Sequence, residues 1–302
     1  MEIFYSGEVV DFEGSAVALG NFDGLHIAHM SIINNCINYA KEHSIKSGVL
    51  LFDHHSTEVT RSRNVSLIMP NENKIEILEK VGMDFVYFRK FDKDFMERTP
   101  LEFIRFLRTC LKVQCICVGY DYRFGHKAAG DTALLKKYGG IYGFDVSVAD
   151  CVTDNGQIVG STLIRKLINN GEVERAAYLL GRNFCVEGMV VEGLQNGRKM
   201  GYPTANVDFD PRMAIPSDGV YAGYTYVDSV KYKSVINVGN NPTFGGKKIT
   251  LETHILDFDE DIYNKYVRVE FVSHIRSEKK FSSMEELKKQ IHADSEKAAE
   301  IL

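Results

Sequence analysis

Two domains of different class are predicted: an α/β domain built on a doubly wound parallel sheet over residues 1–182, and an antiparallel β-barrel over residues 183–302 that ends in a helix. Three observations carry this. Before Leu180-Gly181-Arg182, short apolar runs alternate with longer segments of helical spacing; after it, strand-like runs follow one another without helices between them. The last segment opens on a helix-start pattern, Ser283-x-x-Glu286. With 302 residues, 44% of them hydrophobic, the chain has enough apolar surface for two cores.

The elements follow in order. Val17 to Leu19 reads as a strand, His29 to Glu42 as a helix and Ser47 to Phe52 as a strand. Ile75, Ile77, Leu78 and Val81 have helix-like spacing in Lys74 to Val81, and Phe85 to Phe88 is a strand. Thr99 as N-cap and Pro100 at the first helical position open a helix to Leu111. Gln114 to Val118 is a strand, Thr132 to Tyr138 a helix and Phe144 to Val148 a strand. The second half offers strands over Val186 to Val191, Gly219 to Val227, Lys231 to Val238, Ile249 to Leu256 and Val267 to Val272, with Asp228-Ser229 where a hairpin turn falls.

Composition excludes several classes. A net charge of −5 argues against a general electrostatic grip on nucleic acid. The six cysteines form no CxxC pair, which fits free thiols in a reducing compartment. The N-terminus lacks the basic start and apolar core of a signal peptide, and no apolar run approaches the roughly 20 residues of a membrane span. The expectation is a cytoplasmic protein acting on small molecules, with no nucleic-acid or membrane partner and at most weak self-association.

The densest motif is Gly197-Arg198-Lys199-Met200-Gly201-Tyr202-Pro203-Thr204-Ala205-Asn206. Glycines let backbone N–H groups approach a phosphate closely, and Pro203 stiffens the exit. Thr204 and Asn206 lie two apart, so in an extended chain their oxygens share a face that suits a magnesium-bound nucleotide. A P-loop is excluded as the nucleotide site, because no Gly-x-x-x-x-Gly-Lys-Ser/Thr sequence exists. The motif resembles the ATP-binding signature of riboflavin kinases, and the match continues through Asn237-Val238-Gly239, Pro242-Thr243-Phe244, the Glu252-x-His254 strand and Arg276-x-Glu278-x-Lys280-Phe281. That resemblance implies Glu252 as the base for the ribityl 5′-hydroxyl, Thr204 and Asn206 as ligands of Mg²⁺, and Gly197 and Gly201 as hinges over the nucleotide. Arg276 would carry charge at the flavin or nucleotide, or pair structurally with Glu278.

In the first half, Gly20-Asn21-Phe22-Asp23-Gly24-Leu25-His26-Ile27-Ala28-His29 runs from a strand through a tight loop into a helix on which His26 and His29 share a face. Helix-start N–H groups and two imidazoles suit an anion. Val118 to Gly125, Gly130-Asp131, Ser161-Thr162-Leu163-Ile164-Arg165 and Leu179 to Arg182 complete a pattern similar to bacterial bifunctional riboflavin kinase/FMN adenylyltransferases. The family implies a Rossmann-like nucleotidyltransferase domain before the kinase barrel, making FMN and then FAD from riboflavin and ATP. Gly20, Asn21, Phe22, Asp23, His26, His29, Ser161, Thr162 and Arg165 would bind nucleotide, His29 and Arg165 acting in catalysis, while Asp121 and Phe124 would contact flavin. Four departures gather in this half: Ala28 and Gly160 within the phosphate motifs, His54 and Ser56 where Phe-Asp-Pro-His-Pro is usual, and Arg89-Lys90-Phe91 where Leu-Pro-Phe is common. They leave open a kinase with an impaired first domain; a separate alternative is a flavin- or nucleotide-responsive regulator that binds without turnover, with basic segments such as Arg61-Ser62-Arg63 and Lys288-Lys289 touching nucleic acid.

Overall fold

The computed structural model describes residues 1–53, 66–193, 201–243 and 246–302, with the side chains of 241–248 set aside. The chain divides into two compact units, Met1–Ser161 and Thr162–Leu302.

The first unit contains β1 (Glu2–Tyr5), β2 (Ser15–Leu19), α1 (Ile27–Glu42), β3 (Lys46–Phe52), α2 (Asn71–Lys80), β4 (Phe85–Arg89), α3 (Lys93–Met96), α4 (Pro100–Cys110), β5 (Val113–Gly119), α5 (Thr132–Tyr142), β6 (Asp145–Ala149) and a small hairpin of β7 (Thr153–Asp154) and β8 (Gln157–Ile158). Six strands pair in the order β1-β4-β3-β2-β5-β6, all parallel. Apolar side chains of β2 alternate between two cores: Val17 and Leu19 pack with α4 and α5, Ala16 and Ala18 with α1 and α2. Helices on both faces make the sheet doubly wound. From β2 the chain crosses first to β3 and β4 on one side and later to β5 and β6 on the other, so the crevice beyond the carboxyl ends of β2 and β5 is the topological switch point.

Short-range interactions set the helix ends. Thr99 and Glu102 form a reciprocal capping box on α4. At the carboxyl end of α5, Gly143 adopts φ +69°, the left-handed stop that favours glycine. The sequence reading did not identify β1, an exposed four-residue edge strand, nor the two-residue strands β7 and β8.

The second unit opens with the rest of α6 (Ser161–Asn169) and α7 (Val173–Leu180), two amphipathic helices absent from the sequence reading, and continues with β9 (Phe184–Val191), β10 (Ala205–Phe209), β11 (Gly219–Val227), β12 (Val230–Thr243), β13 (Gly246–Ile255), β14 (Tyr266–Ser277) and α8 (Met284–Ile301). The strands close an antiparallel barrel in the order β10-β13-β12-β11-β14-β9. Asp228 and Ser229 both take positive φ, +48° and +68°, the backbone of a type I′ hairpin between β11 and β12. Ser283 caps α8 by accepting the Glu286 N–H, but the Glu286 carboxylate reaches Ser282 rather than closing the expected box on Ser283.

Candidate functional site

In the barrel, register decides which polar groups meet. Asn206 on β10 lies opposite Glu252 on β13, and Glu252 lies opposite Asn237 on β12, giving one polar row across three strands. The intervening residues Ala205, Thr253 and Ile236 point into the core, so the row occupies the opposite, half-buried face. Thr204 Oγ1 donates to Glu252 Oε2 at 3.3 Å. His254, two residues on, sends Nδ1 to the Pro203 carbonyl at 2.8 Å, which fixes the proton on Nδ1 and leaves Nε2 as an acceptor. Tyr202 packs edge-on against the same imidazole. Thr204 thus belongs to a segment held on both sides.

A cavity of about 390 Å³ is lined by Val190, Pro203, Thr204, Thr253, Ile255 and Phe258, with Asp259, Glu260 and Asp261 among its charged groups; Thr204, which bonds Glu252, is its link to the row, while Asn206, Glu252 and Asn237 do not line it. Its size falls in the range of small-molecule sites. Gly201, at φ +86°, sits just before Tyr202; Gly197, Arg198, Lys199 and Phe244 lie outside the described residues. Asn264, where the family usually has Gly, occupies a turn at φ +61°, a conformation that asparagine tolerates best after glycine.

Arg276 is matched elsewhere than expected. Its Nε and Nη2 form a fork on the buried carboxylate of Asp294 in α8, at 2.8 to 3.0 Å, and Gln290 supports the same carboxylate. The partner is Asp294, not Glu278. This pair ties the closing helix to β14, and leaving either charge alone would be costly.

In the first unit the loop after β2 reaches the switch point in a constrained backbone. Phe22, Gly24 and Leu25 have φ of +48°, +87° and +42°, and the side chains of Phe22 and Leu25 are wholly buried, which holds two non-glycine residues in a conformation they rarely adopt. His26 caps α1 rather than lying within it: its Nδ1 accepts the His29 N–H at 3.3 Å, so the proton of the neutral ring is on Nε2. The His29 ring stacks on His26 at 3.6 Å and meets Phe22 edge-on. The two imidazoles therefore form one rigid pair at the amino end of a 16-residue helix.

Asp23 is not aimed at solvent. Its carboxylate is 0% exposed and accepts the N–H groups of Ile68 and Met69 at 3.0 and 3.1 Å, while its carbonyl accepts the Ser161 hydroxyl at 2.8 Å. Replacing Asp23 by Ala should destabilise the first unit by about 3 kcal/mol, because two buried donors lose their acceptor, and by less for Asn, which keeps one oxygen; denaturant titration of the full chain reads the difference.

One residue escaped the sequence reading. Lys74, 6% exposed on α2, directs Nζ to the Asn21 carbonyl at 3.4 Å and to Asn71 Oδ1 at 3.1 Å. A planar trans peptide then turns the Phe22 N–H the opposite way from that ammonium. Lysine spaced within an apolar helix pattern reads as solvent-facing, so only the fold reveals it. Asn21 itself is exposed and Gly20 half-buried.

The loop after β5 flanks the other side of the switch point. Asp121 is exposed there, while Phe124 is 5% exposed, stacked on Tyr122 and packed against Phe103. Thr162 is exposed and Arg165 half-buried on α6. Ala28 lies in the first turn of α1 and Gly160 just before α6; His54 and Ser56 lie outside the described residues. Among the described residues no helix is long and apolar enough to cross a membrane.

Known proteins resemble this chain over nearly its whole length. A family model described as FAD synthetase matches residues 9–163, and one described as riboflavin kinase matches residues 180–302. A bifunctional riboflavin kinase/FMN adenylyltransferase of Haemophilus influenzae is 36% identical, covering 95% of this chain and 94% of that protein. One of Bacillus subtilis is 33% identical, over 94% of this chain and 91% of its own. A Streptococcus pneumoniae crystal structure described as a macrolide-efflux protein superposes with a TM-score of 0.90 at 30% identity, covering 99% of both chains. With two family models placed end to end on the two folds and relatives alike at full length, the chain belongs to the bifunctional riboflavin kinase/FMN adenylyltransferase family.

Proposed function

We propose that the barrel performs the kinase reaction at the row of Asn206, Glu252 and Asn237, and that the loop after β2 performs adenylyl transfer. The chain is an enzyme of flavin cofactor synthesis: riboflavin and ATP give FMN and ADP, and FMN and ATP give FAD and pyrophosphate. Matches to bifunctional proteins over both domains leave the impaired-domain alternative without support. The observation that carries the assignment of roles is the 3.3 Å bond between Thr204 and Glu252 beside a cavity.

For phosphorylation, the riboflavin 5′-oxygen bonds to the γ-phosphorus of ATP, the bond to ADP breaks and Glu252 takes the hydroxyl proton. Thr204 and Asn206 offer neutral oxygens, a donor pair that fits Mg²⁺ when the phosphates of the nucleotide supply the charge. Bound there, the cation would neutralise charge on the transferring phosphoryl group. Thr204 can turn its lone pairs to it while its proton stays on Glu252. The apolar wall of Val190, Ile255 and Phe258 suits the adenine, Gly197 and Gly201 flank the phosphates, and Arg276 acts on the flavin end by fixing α8 through Asp294.

For adenylyl transfer, a phosphate oxygen of FMN bonds to the α-phosphorus of ATP and pyrophosphate leaves, so no protein base is needed. Gly20, Asn21, Phe22, Asp23 and His26 shape the phosphate seat, and His29 donates to the reacting phosphate. Ser161, Thr162 and Arg165 take a phosphate-binding role, and Asp121 and Phe124 a flavin-binding role, from the motif match. We also keep the division at residues 1–182 and 183–302, a cytoplasmic setting, small-molecule substrates without nucleic acid or membrane, and at most weak self-association as parts of the proposal.

Incubating the full chain with riboflavin and excess Mg-ATP should give FMN first and FAD second, followed separately by chromatography. FMN that accumulates without conversion overturns the second activity. Chelation of divalent cations should abolish both products and added Mg²⁺ should restore them; turnover that survives full chelation removes the metal from the mechanism.

A further inference from the structure

The carboxyl edge of the parallel sheet holds a second concentration of positive charge that the assigned reactions do not use. Arg89 ends β4, two strands from β2 and so roughly 10 Å from the Gly20 loop by strand spacing. Its Cζ lies 4.7 Å from the centroid of Phe95 and 5.7 Å from that of Phe106. Arg98 rests on the same two rings, at 5.3 and 5.6 Å. Both guanidiniums are half-buried on one aromatic platform.

Glu102 acts on Arg98 at a distance, but no carboxylate among the described residues bonds either guanidinium. Among the described residues neither arginine forms an ion pair or a side-chain hydrogen bond, and the buried Nε of Arg89 has no acceptor. The nearby carboxylates are committed to backbone donors: Asp92 accepts the Phe95 N–H at 2.9 Å, Glu102 the Thr99 N–H at 2.8 Å, and Asp53 the Phe91 N–H at 2.9 Å. Stacking on a ring covers the face of a guanidinium and leaves its N–H edge to act as a fork. Two such forks without a carboxylate call for an oxyanion. The Arg98 carbonyl accepts the His126 N–H at 2.7 Å, which anchors Arg98 to the loop following β5 and so to the ligand edge of the sheet.

We infer that Arg89 and Arg98 form a second oxyanion site in the first unit, separate from the Gly20–His29 loop, that takes a phosphate-class anion. The anion is free phosphate or pyrophosphate, because the phosphate of FMN has to reach the Gly20–His29 loop to react.

The test compares the full-length protein with Arg89→Leu/Arg98→Leu, which keeps side-chain bulk on the rings, at constant ionic strength. Calorimetric titration with pyrophosphate should show one equivalent fewer per chain in the double variant. KM for FMN in FAD formation and KM for riboflavin in the kinase reaction should both stay within twofold. Arg89→Lys/Arg98→Lys should retain pyrophosphate binding in weakened form, which a packing role would not require. Should the leucine variant fail to fold, Arg98→Gln alone should lower pyrophosphate affinity. Unchanged pyrophosphate stoichiometry in a folded variant overturns the inference. FAD formation by the unaltered protein is recorded alongside, so a failure of the adenylyltransferase assignment is seen separately.

Discussion

Glu252→Gln should lower riboflavin phosphorylation by a factor of about 100 to 10,000, the usual contribution of a positioned general base. The amide keeps the size of the side chain and an acceptor for Thr204, so the polar row and the strand pairing of β13 with β10 and β12 survive. What disappears is the capacity to take a proton. KM for riboflavin and for ATP should change little, because the loss is confined to the transition state. FAD formation from supplied FMN gives an internal control in the same molecule and should stay within twofold. Near-normal phosphorylation by the variant would take Glu252 out of the mechanism and leave His254, whose Nε2 is the free acceptor of its ring, as the next group to test.

The second large effect concerns the stacked imidazoles. His29→Ala should cut FAD formation by a factor of roughly 100 to 1,000, the cost of removing one preorganised donor from a reacting phosphate. Riboflavin phosphorylation should continue unchanged. His26→Ala should show a mixed result: a similar loss of adenylyl transfer, and about 1 kcal/mol of stability lost with the N-cap of α1. The contrast between the two variants separates chemistry from helix capping. Full FAD synthesis by His29→Ala would assign the phosphate contact to the loop backbone instead.

Much of this architecture is written locally. Thr99 and Pro100 announce a helix because capping involves only residues within one turn, and Thr99 caps it. Asp228 and Ser229 announce a hairpin because a two-residue turn has few allowed backbones. Where the local signal is short or ambiguous, reading fails. The edge strand β1 is four residues long and exposed on three of them, so it carries no alternation, and its pairing with β4 is a contact across more than 80 residues. The helices α6 and α7 carry strong amphipathic faces, yet they fall between the alternating first half and the strand-rich second, where no neighbouring pattern frames them.

The candidate sites divide in the same way. Thr204, Asn206, His26 and His29 are legible because each motif is contiguous and its residue types imply the chemistry. Lys74, Asp23 and the pair of Arg89 and Arg98 are not, since their roles depend on which distant backbone or ring they meet.

The sequence by itself determined the two fold classes and the family, properties of periodicity, turn chemistry and contiguous motifs. The tertiary structure alone decided that Asn206 faces Glu252 and Glu252 faces Asn237, that Arg276 serves Asp294, and that two arginines share one platform of rings. The reason is physical: strand register and side-chain partnership are settled when a barrel closes and a sheet packs, by burial summed over segments far apart in the chain.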